Sequence, residues 1–279
     1  MSGFATRVVD VFGAAPLLGN PVAVVHGADG LDDARMQAYA RWTNLSETTF
    51  LLAPDDPAAD YRVRIWTPGG ELPFAGHPTL GSAHAWRERG GVAKRAGVVV
   101  QQCAAGLVEI AEAEGRLAFA APPVARHAVD AETLARAASA LGLAPAEVVD
   151  AQRLVNGPEW LTLLVASAER VLALEPDAAG LRPFRTIGVV GPHAAGHAAQ
   201  FEVRGFVGGP APYEDPVTGS LNAGIGEWLM ATGRAPSAYV AAQGARLRRD
   251  GRVHVARDAA GRLTVGGTTR TIVRGEVEL

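Results

Sequence analysis

Glu47, His77 and Asp215 are the side chains best suited to chemistry in this chain. Carboxylates and imidazoles are the groups that most readily pass a proton near neutral pH, and two of the three occupy matching places in a repeat. The segments His77-Pro78-Thr79-Leu80-Gly81-Ser82-Ala83-His84-Ala85 and Asp215-Pro216-Val217-Thr218-Gly219-Ser220-Leu221-Asn222-Ala223 share Pro, Gly, Ser and Ala at identical spacing, 215 − 77 = 138 residues apart. At that offset Glu47 falls on Arg185. A duplicated scaffold with unlike polar groups on its two sides points to an acid/base site. A glutamate partly withdrawn from water has its pKa moved from about 4.3 towards neutrality, so that it serves first as base and then as acid. Each residue also has an account without chemistry: Asp215 as a helix cap, His77 as a structural helix-terminal histidine, Glu47 as a strand-end charge facing water.

The elements that would position these groups repeat as well. Glu47-Thr48-Thr49-Phe50-Leu51-Leu52 matches Thr186-Ile187-Gly188-Val189-Val190, and Tyr61-Arg62-Val63-Arg64-Ile65 matches Gln200-Phe201-Glu202-Val203-Arg204. Asn20-Pro21 before Val22–Val25 parallels Gly157-Pro158 before Trp160–Leu164. Gly115-Arg116-Leu117 parallels Gly261-Arg262-Leu263 at an offset grown to 146, which an insertion of about eight residues explains. Each half reads as short Val/Ile/Thr-rich strands separated by Gly, Pro and Asp turns, interrupted by two helices. Asp32 or Asp33 caps a helix with Met36, Tyr39 and Ala40 on one face, and a second starts near Pro78. Asp130 caps a run with Leu134, Ala137, Ala138 and Leu141 at helical spacing, and Pro216 starts the last helix, which runs through Trp228-Leu229-Met230.

The expected architecture is α+β. Two pseudo-symmetric domains, residues 1–121 and 122–279 with the last strand allowed to cross back, each wrap a curved antiparallel sheet around a central helix, and Ala121-Pro122-Pro123-Val124 is the expected linker. The domains are expected to face each other across a cleft, where ligands commonly bind. The two repeated helix starts would form its walls, offering unpaired N–H groups and positive dipole ends to a small anionic acid.

Composition narrows the alternatives. The 279 residues are 48% hydrophobic and 20% charged, with net charge 26 − 29 = −3. That describes a packed globular chain without the basic field that nucleic acid binding needs. One cysteine, Cys103, rules out an intramolecular disulfide and any two-thiol mechanism. The single lysine, Lys94, reads as a solvated loop charge. Without Gly-Lys-Ser/Thr or G-x-G-x-x-G, the chain offers no phosphate loop and no dinucleotide fingerprint, so cofactor-free chemistry is expected. His193 and His197 have the spacing of a metal pair, but Pro192 and Gly196 argue against the helix that would align them, and no metal is expected. Ser220 lacks the glycine two residues before it in G-x-S-x-G, which weighs against a hydrolase. With no signal-peptide pattern and no long apolar run, the expected location is the cytoplasm, with no membrane partner.

Several ordered motifs together resemble the phenazine-biosynthesis PhzF-like family. They are Val9-Asp10-Val11-Phe12 with Gly19-Asn20-Pro21; Asn44-Leu45-Ser46-Glu47-Thr48; Phe74-Ala75-Gly76-His77-Pro78-Thr79-Leu80-Gly81; and Glu214-Asp215-Pro216-Val217-Thr218-Gly219-Ser220. The similarity runs from near residue 8 to the last strands and implies the diaminopimelate epimerase-like fold. It further implies a cofactor-independent isomerase of the dihydro-3-hydroxyanthranilate isomerase type, in which Glu47 moves a proton between carbons, assisted by His77 and Asp215. The same resemblance assigns the substrate carboxylate to Ser220 and its neighbours Gly219 and Leu221, with Gly76 on the opposite wall. It also implies a homodimer. Diaminopimelate epimerases carry a cysteine at each helix start, and neither loop here has one. Two further readings stay open: an amino-acid racemase or epimerase working without cysteines, and a non-catalytic protein that binds a small acid.

Overall fold

The computed structural model describes residues 3–113, 115–258 and 260–279. The chain divides into two compact units, one running up to Ala120 and resuming at Gly266–Leu279, the other Ala121–Val265. The first contains β1 (Gly3–Val11), β2 (Asn20–His26), α1 (Asp33–Thr43), β3 (Glu47–Leu52), β4 (Tyr61–Thr67), β5 (Gly70–Leu72), α2 (Gly76–Glu88), β6 (Val98–Cys103), β7 (Gly106–Ala113) and β8 (Arg116–Ala120). The second contains β9 (Ala125–Ala128), α3 (Ala131–Ala140), β10 (Val148–Val155), β11 (Glu159–Val165), α4 (Ala168–Leu172), α5 (Ala178–Leu181), β12 (Thr186–Pro192), β13 (Phe201–Val207), β14 (Tyr213–Asp215), α6 (Gly219–Ala231), β15 (Ala238–Gln243) and β16 (Gly251–Arg257). The chain leaves it along β17 (Leu263–Gly267) and ends in β18 (Thr269–Glu278), which lies antiparallel to β1 in the first unit.

Strand pairing repeats step for step. In the first unit β2 pairs parallel with β3, β3 antiparallel with β4, β4 antiparallel with β5 and parallel with β6, and β6 antiparallel with β7. In the second, β11 through β16 follow the same sequence of parallel and antiparallel pairings. The matched segments therefore fold into equivalent strands. Part of the drift in offset arises between the last two of them, where two residues join β6 to β7 but seven join β15 to β16, including a 3-10 turn at Ala245–Leu247.

Each unit buries one helix against its strands. α2 packs on β1, β2, β3, β8 and β18, and Gly81 permits that approach, since a Cβ there would stand 2.3 Å from Val22 Cγ1. α6 packs on β10, β11 and β16 with Trp228 fully buried, and a Cβ on Gly226 would meet Val255 Cγ1 at 2.6 Å. The outer helices form where their caps predict. Asp32 accepts from the Arg35 N–H and Asp130 from the Thr133 N–H, each at 2.8 Å, satisfying one of the free amides of the first turn. Met36 and Ala40 of α1 pack with Phe50 and Trp66, and Ala137, Ala138 and Leu141 pack with Leu161, Leu163 and Val189.

Four expectations change. α6 begins at Gly219 and not at Pro216, because Asp215 is still in the sheet, paired with Gly205. The second unit has two further short helices, α4 and α5, capped by Ser167 and Asp177. The sheets are mixed and not purely antiparallel, since β2 with β3, β4 with β6, β11 with β12 and β13 with β15 run parallel. Lys94 is anchored and not merely solvated: its Nζ donates to the carbonyls of Pro57 and Ala59 at 2.8 and 2.6 Å. Among the described residues no helix is long and apolar enough to cross a membrane.

Candidate active site

In the first unit the structure brings Glu47 and His77 together. Glu47 is the first residue of β3, beside Val22 of β2, launched from α1 by Asn44 in the left-handed conformation (φ 53°). His77 is the second residue of α2 and is 4% exposed. Its Nε2 lies 3.5 Å from Glu47 Oε2. The Pro21 carbonyl accepts a hydrogen bond from the ring, which assigns that proton to Nδ1 and turns Nε2 towards the glutamate. Burial pushes the His77 pKa down to about 3, with the Pro21 bond opposing weakly, so the imidazole is neutral at physiological pH.

Pro21 is held in place by the loop before it. The Gly19 N–H donates to Asp10 Oδ1 at 2.9 Å. A Cβ on Gly19 would stand 2.1 Å from the Val11 carbonyl, so this clasp closes only with glycine there. Below the site, Ser82 of α2 donates to Thr49 of β3 at 2.9 Å, tying the histidine helix to the glutamate strand. The N-cap residue Ala75 makes no side-chain capping bond to the α2 start at Gly76.

In the second unit Asp215 ends β14 and Ser220 is the second residue of α6. Asp215 does not open the helix as a cap; the N-cap is Thr218, whose hydroxyl donates to Asp215 Oδ2 at 2.5 Å. Ser220 is gripped from two sides: Trp160 Nε1 donates to its Oγ at 3.0 Å, and Asn156 Nδ2 donates to its carbonyl at 2.8 Å. The Trp160 bond occupies an acceptor site on the hydroxyl and leaves its own proton to be given elsewhere. Gly219 is buried as the first helical residue. The Leu221 side chain is core, close against Gly188, where a Cβ would come within 2.4 Å of it, so any binding role falls to its backbone N–H.

Sequence reasoning missed Pro21 as the histidine's partner, and also Asn156, Trp160 and Gln243, which bond across 64, 60 and 25 residues. Gly157-Pro158 before β11 matched Asn20-Pro21 in the repeat, and the flanking Asn156 and Trp160 were the available signal there. His193 and His197 lie outside any helix; their rings stack at 3.8 Å, and His193 Nε2 is 3.1 Å from Glu202 Oε2. Among the described residues no group of three or more His, Cys, Asp or Glu is arranged to hold a metal ion.

The duplicated α+β plan, with its buried helix starts, is an epimerase-type fold. A solved structure described as a predicted epimerase of Pseudomonas aeruginosa matches 99% of both chains with a TM-score of 0.81 at 29% identity. The model of the PhzC-PhzF family, phenazine biosynthesis-like proteins, matches residues 9–275, and the chain belongs to that family. Antisense-enhancing sequence 1 of Schizosaccharomyces pombe is 32% identical over 99% of each chain. The trans-2,3-dihydro-3-hydroxyanthranilate isomerase of Pseudomonas fluorescens is 34% identical over 76% of this chain and 75% of its own. The class of this enzyme is therefore that of the isomerases.

Proposed function

We propose that this isomerase moves a proton between two carbons of a small carboxylate-bearing substrate, with Glu47 as the carrier and no cofactor. The observation that carries this reading is a carboxylate 3.5 Å from a buried histidine held neutral, at an uncapped helix start. As a carboxylate Glu47 takes a proton from one carbon; as the resulting acid it returns a proton to another. Atoms and charge balance with no external electron carrier. A neutral His77 with its proton on Nδ1 presents an Nε2 lone pair, which holds the acid form of Glu47 between the two transfers. Asp215 binds a polar hydrogen of the substrate, and Ser220 with the first N–H groups of α6 holds its carboxylate.

The named relative directs the first substrate to try. Dihydro-3-hydroxyanthranilic acid is incubated with the protein in deuterium oxide, and double-bond position and carbon-bound deuterium are followed by NMR. A shifted double bond with deuterium on the newly saturated carbon is expected. Inversion at one carbon of an amino acid with deuterium at Cα would replace this reading with racemisation, and tight binding without exchange would make the protein a carrier of small acids.

A further inference from the structure

We propose that Gln243 and Thr218 are positioning residues that hold Asp215 as a hydrogen-bond-accepting carboxylate; this rests on the reading of Asp215 as part of the site. The Gln243 side chain is 1% exposed and all four of its amide contacts are filled. Its Oε1 accepts from the Thr218 N–H at 3.0 Å and from Asn222 Nδ2 at 2.9 Å. Its Nε2 donates to the Asp215 carbonyl at 3.1 Å and to Thr218 Oγ1 at 2.9 Å. A flipped amide would set two N–H groups against two donors and an oxygen against a carbonyl, so only one orientation is compatible with its neighbours.

That orientation fixes the direction of the next bond. An amide nitrogen has no lone pair to offer, so the Thr218 hydroxyl accepts from Gln243 and has its single proton left for Asp215 Oδ2, 2.5 Å away. A carboxylate accepts that proton; a carboxylic acid protonated at the same oxygen would turn a donor towards a donor. The relay therefore favours the ionised form of Asp215 and fixes its rotamer. The space is prepared for it: Asp215 pairs with Gly205, and a Cβ on Gly205 would come within 3.1 Å of Thr218 Oγ1. Thr218 makes no side-chain cap bond to α6, so its hydroxyl is not serving the helix.

The test titrates the Asp215 carboxyl directly by carbon-13 NMR in the full-length protein and in Thr218→Val, which keeps the shape and removes the hydroxyl. The Asp215 pKa is expected to rise by about one unit or more in Thr218→Val and to return in Thr218→Ser. Gln243→Glu, which turns the Thr218 proton away from Asp215, is expected to raise it too. In turnover, the acid limb of kcat/KM moves to higher pH by the same amount, with an about tenfold loss below it. An Asp215 titration unchanged by Thr218→Val, or not restored by Thr218→Ser, would overturn the relay. A wild type that turns over no substrate, with the Asp215 titration still shifted, would overturn the proton-transfer reading and leave the relay standing.

Discussion

In the first unit a buried glutamine, Gln101, on the strand after α2, donates to Thr79 Oγ1 at 3.0 Å and accepts from the Tyr61 hydroxyl at 2.9 Å. In the second unit Gln243, on the strand after α6, donates to Thr218 Oγ1 at 2.9 Å. Both units thus pin the start of the buried helix through a glutamine–threonine pair. They differ in what the threonine does next. Thr79 returns its proton to the Ala75 carbonyl, a backbone bond within the first turn, whereas Thr218 gives its proton to a carboxylate. The first unit places Glu47 and His77 together between strand and helix, where burial removes charge from the imidazole. The second keeps a carboxylate hydrogen-bonded at the strand end. The strand plan is common to both; the difference between them lies in a few polar side chains at the two helix starts.

The difference can be attacked directly. Asp215→Asn keeps the shape and removes the charge, and a loss of about a hundredfold in turnover is expected, without a comparable loss of thermal stability. Gly81→Ala tests the other half of the argument, the fixed seat of the histidine helix. With a Cβ 2.3 Å from Val22 Cγ1, destabilisation of about 2 kcal/mol is expected in denaturant titration, together with slower turnover as His77 is displaced.

The units also differ in their response to pH. The folded pKa of His77 lies near 3 and that of His26 near 4, both below the ordinary 6.5 through burial. The folded first unit therefore binds fewer protons than the unfolded chain in acid. Their contribution is complete above pH 6.5 and is lost at up to about 1.4 kcal/mol per pH unit for each residue as pH falls. Glu202 in the second unit has the opposite sign: burial lifts it from 4.5 to about 7, so its contribution is complete below 4.5 and declines as pH rises towards 7. Glu202→Gln is expected to raise the Tm at pH 8, and His77→Asn to flatten the acid limb between pH 6 and about 4. Smallest is Trp160→Phe, which keeps the ring and removes one bond to Ser220. A rise in KM of about fivefold, near 1 kcal/mol, with kcat little changed is expected.

The legible part of this molecule was local or periodic. Asp32 and Asp130 announce their helices because a cap bonds within three residues, and the strands around Glu47 and Thr186 announce themselves by their apolar runs. Pro216 misled because proline suits a first helical turn; here strand pairing of Asp215 with Gly205 delays the helix to Gly219. Lys94 looked like a solvated charge because its partners, two carbonyls 35 and 37 residues away, leave no trace in local composition. Gln243 and Trp160 were invisible for the same reason. A buried amide or indole has no sequence pattern of its own, and its meaning comes from the groups that the fold brings to it.

The most direct test of the account replaces Glu47 with Gln and measures carbon-bound deuterium in product formed in deuterium oxide, with the fold verified by thermal denaturation. Wild-type protein is expected to incorporate deuterium at the carbon that gains the proton, and Glu47→Gln to do so slower by about a thousandfold or more. Undiminished incorporation in the variant would contradict Glu47 as the proton carrier.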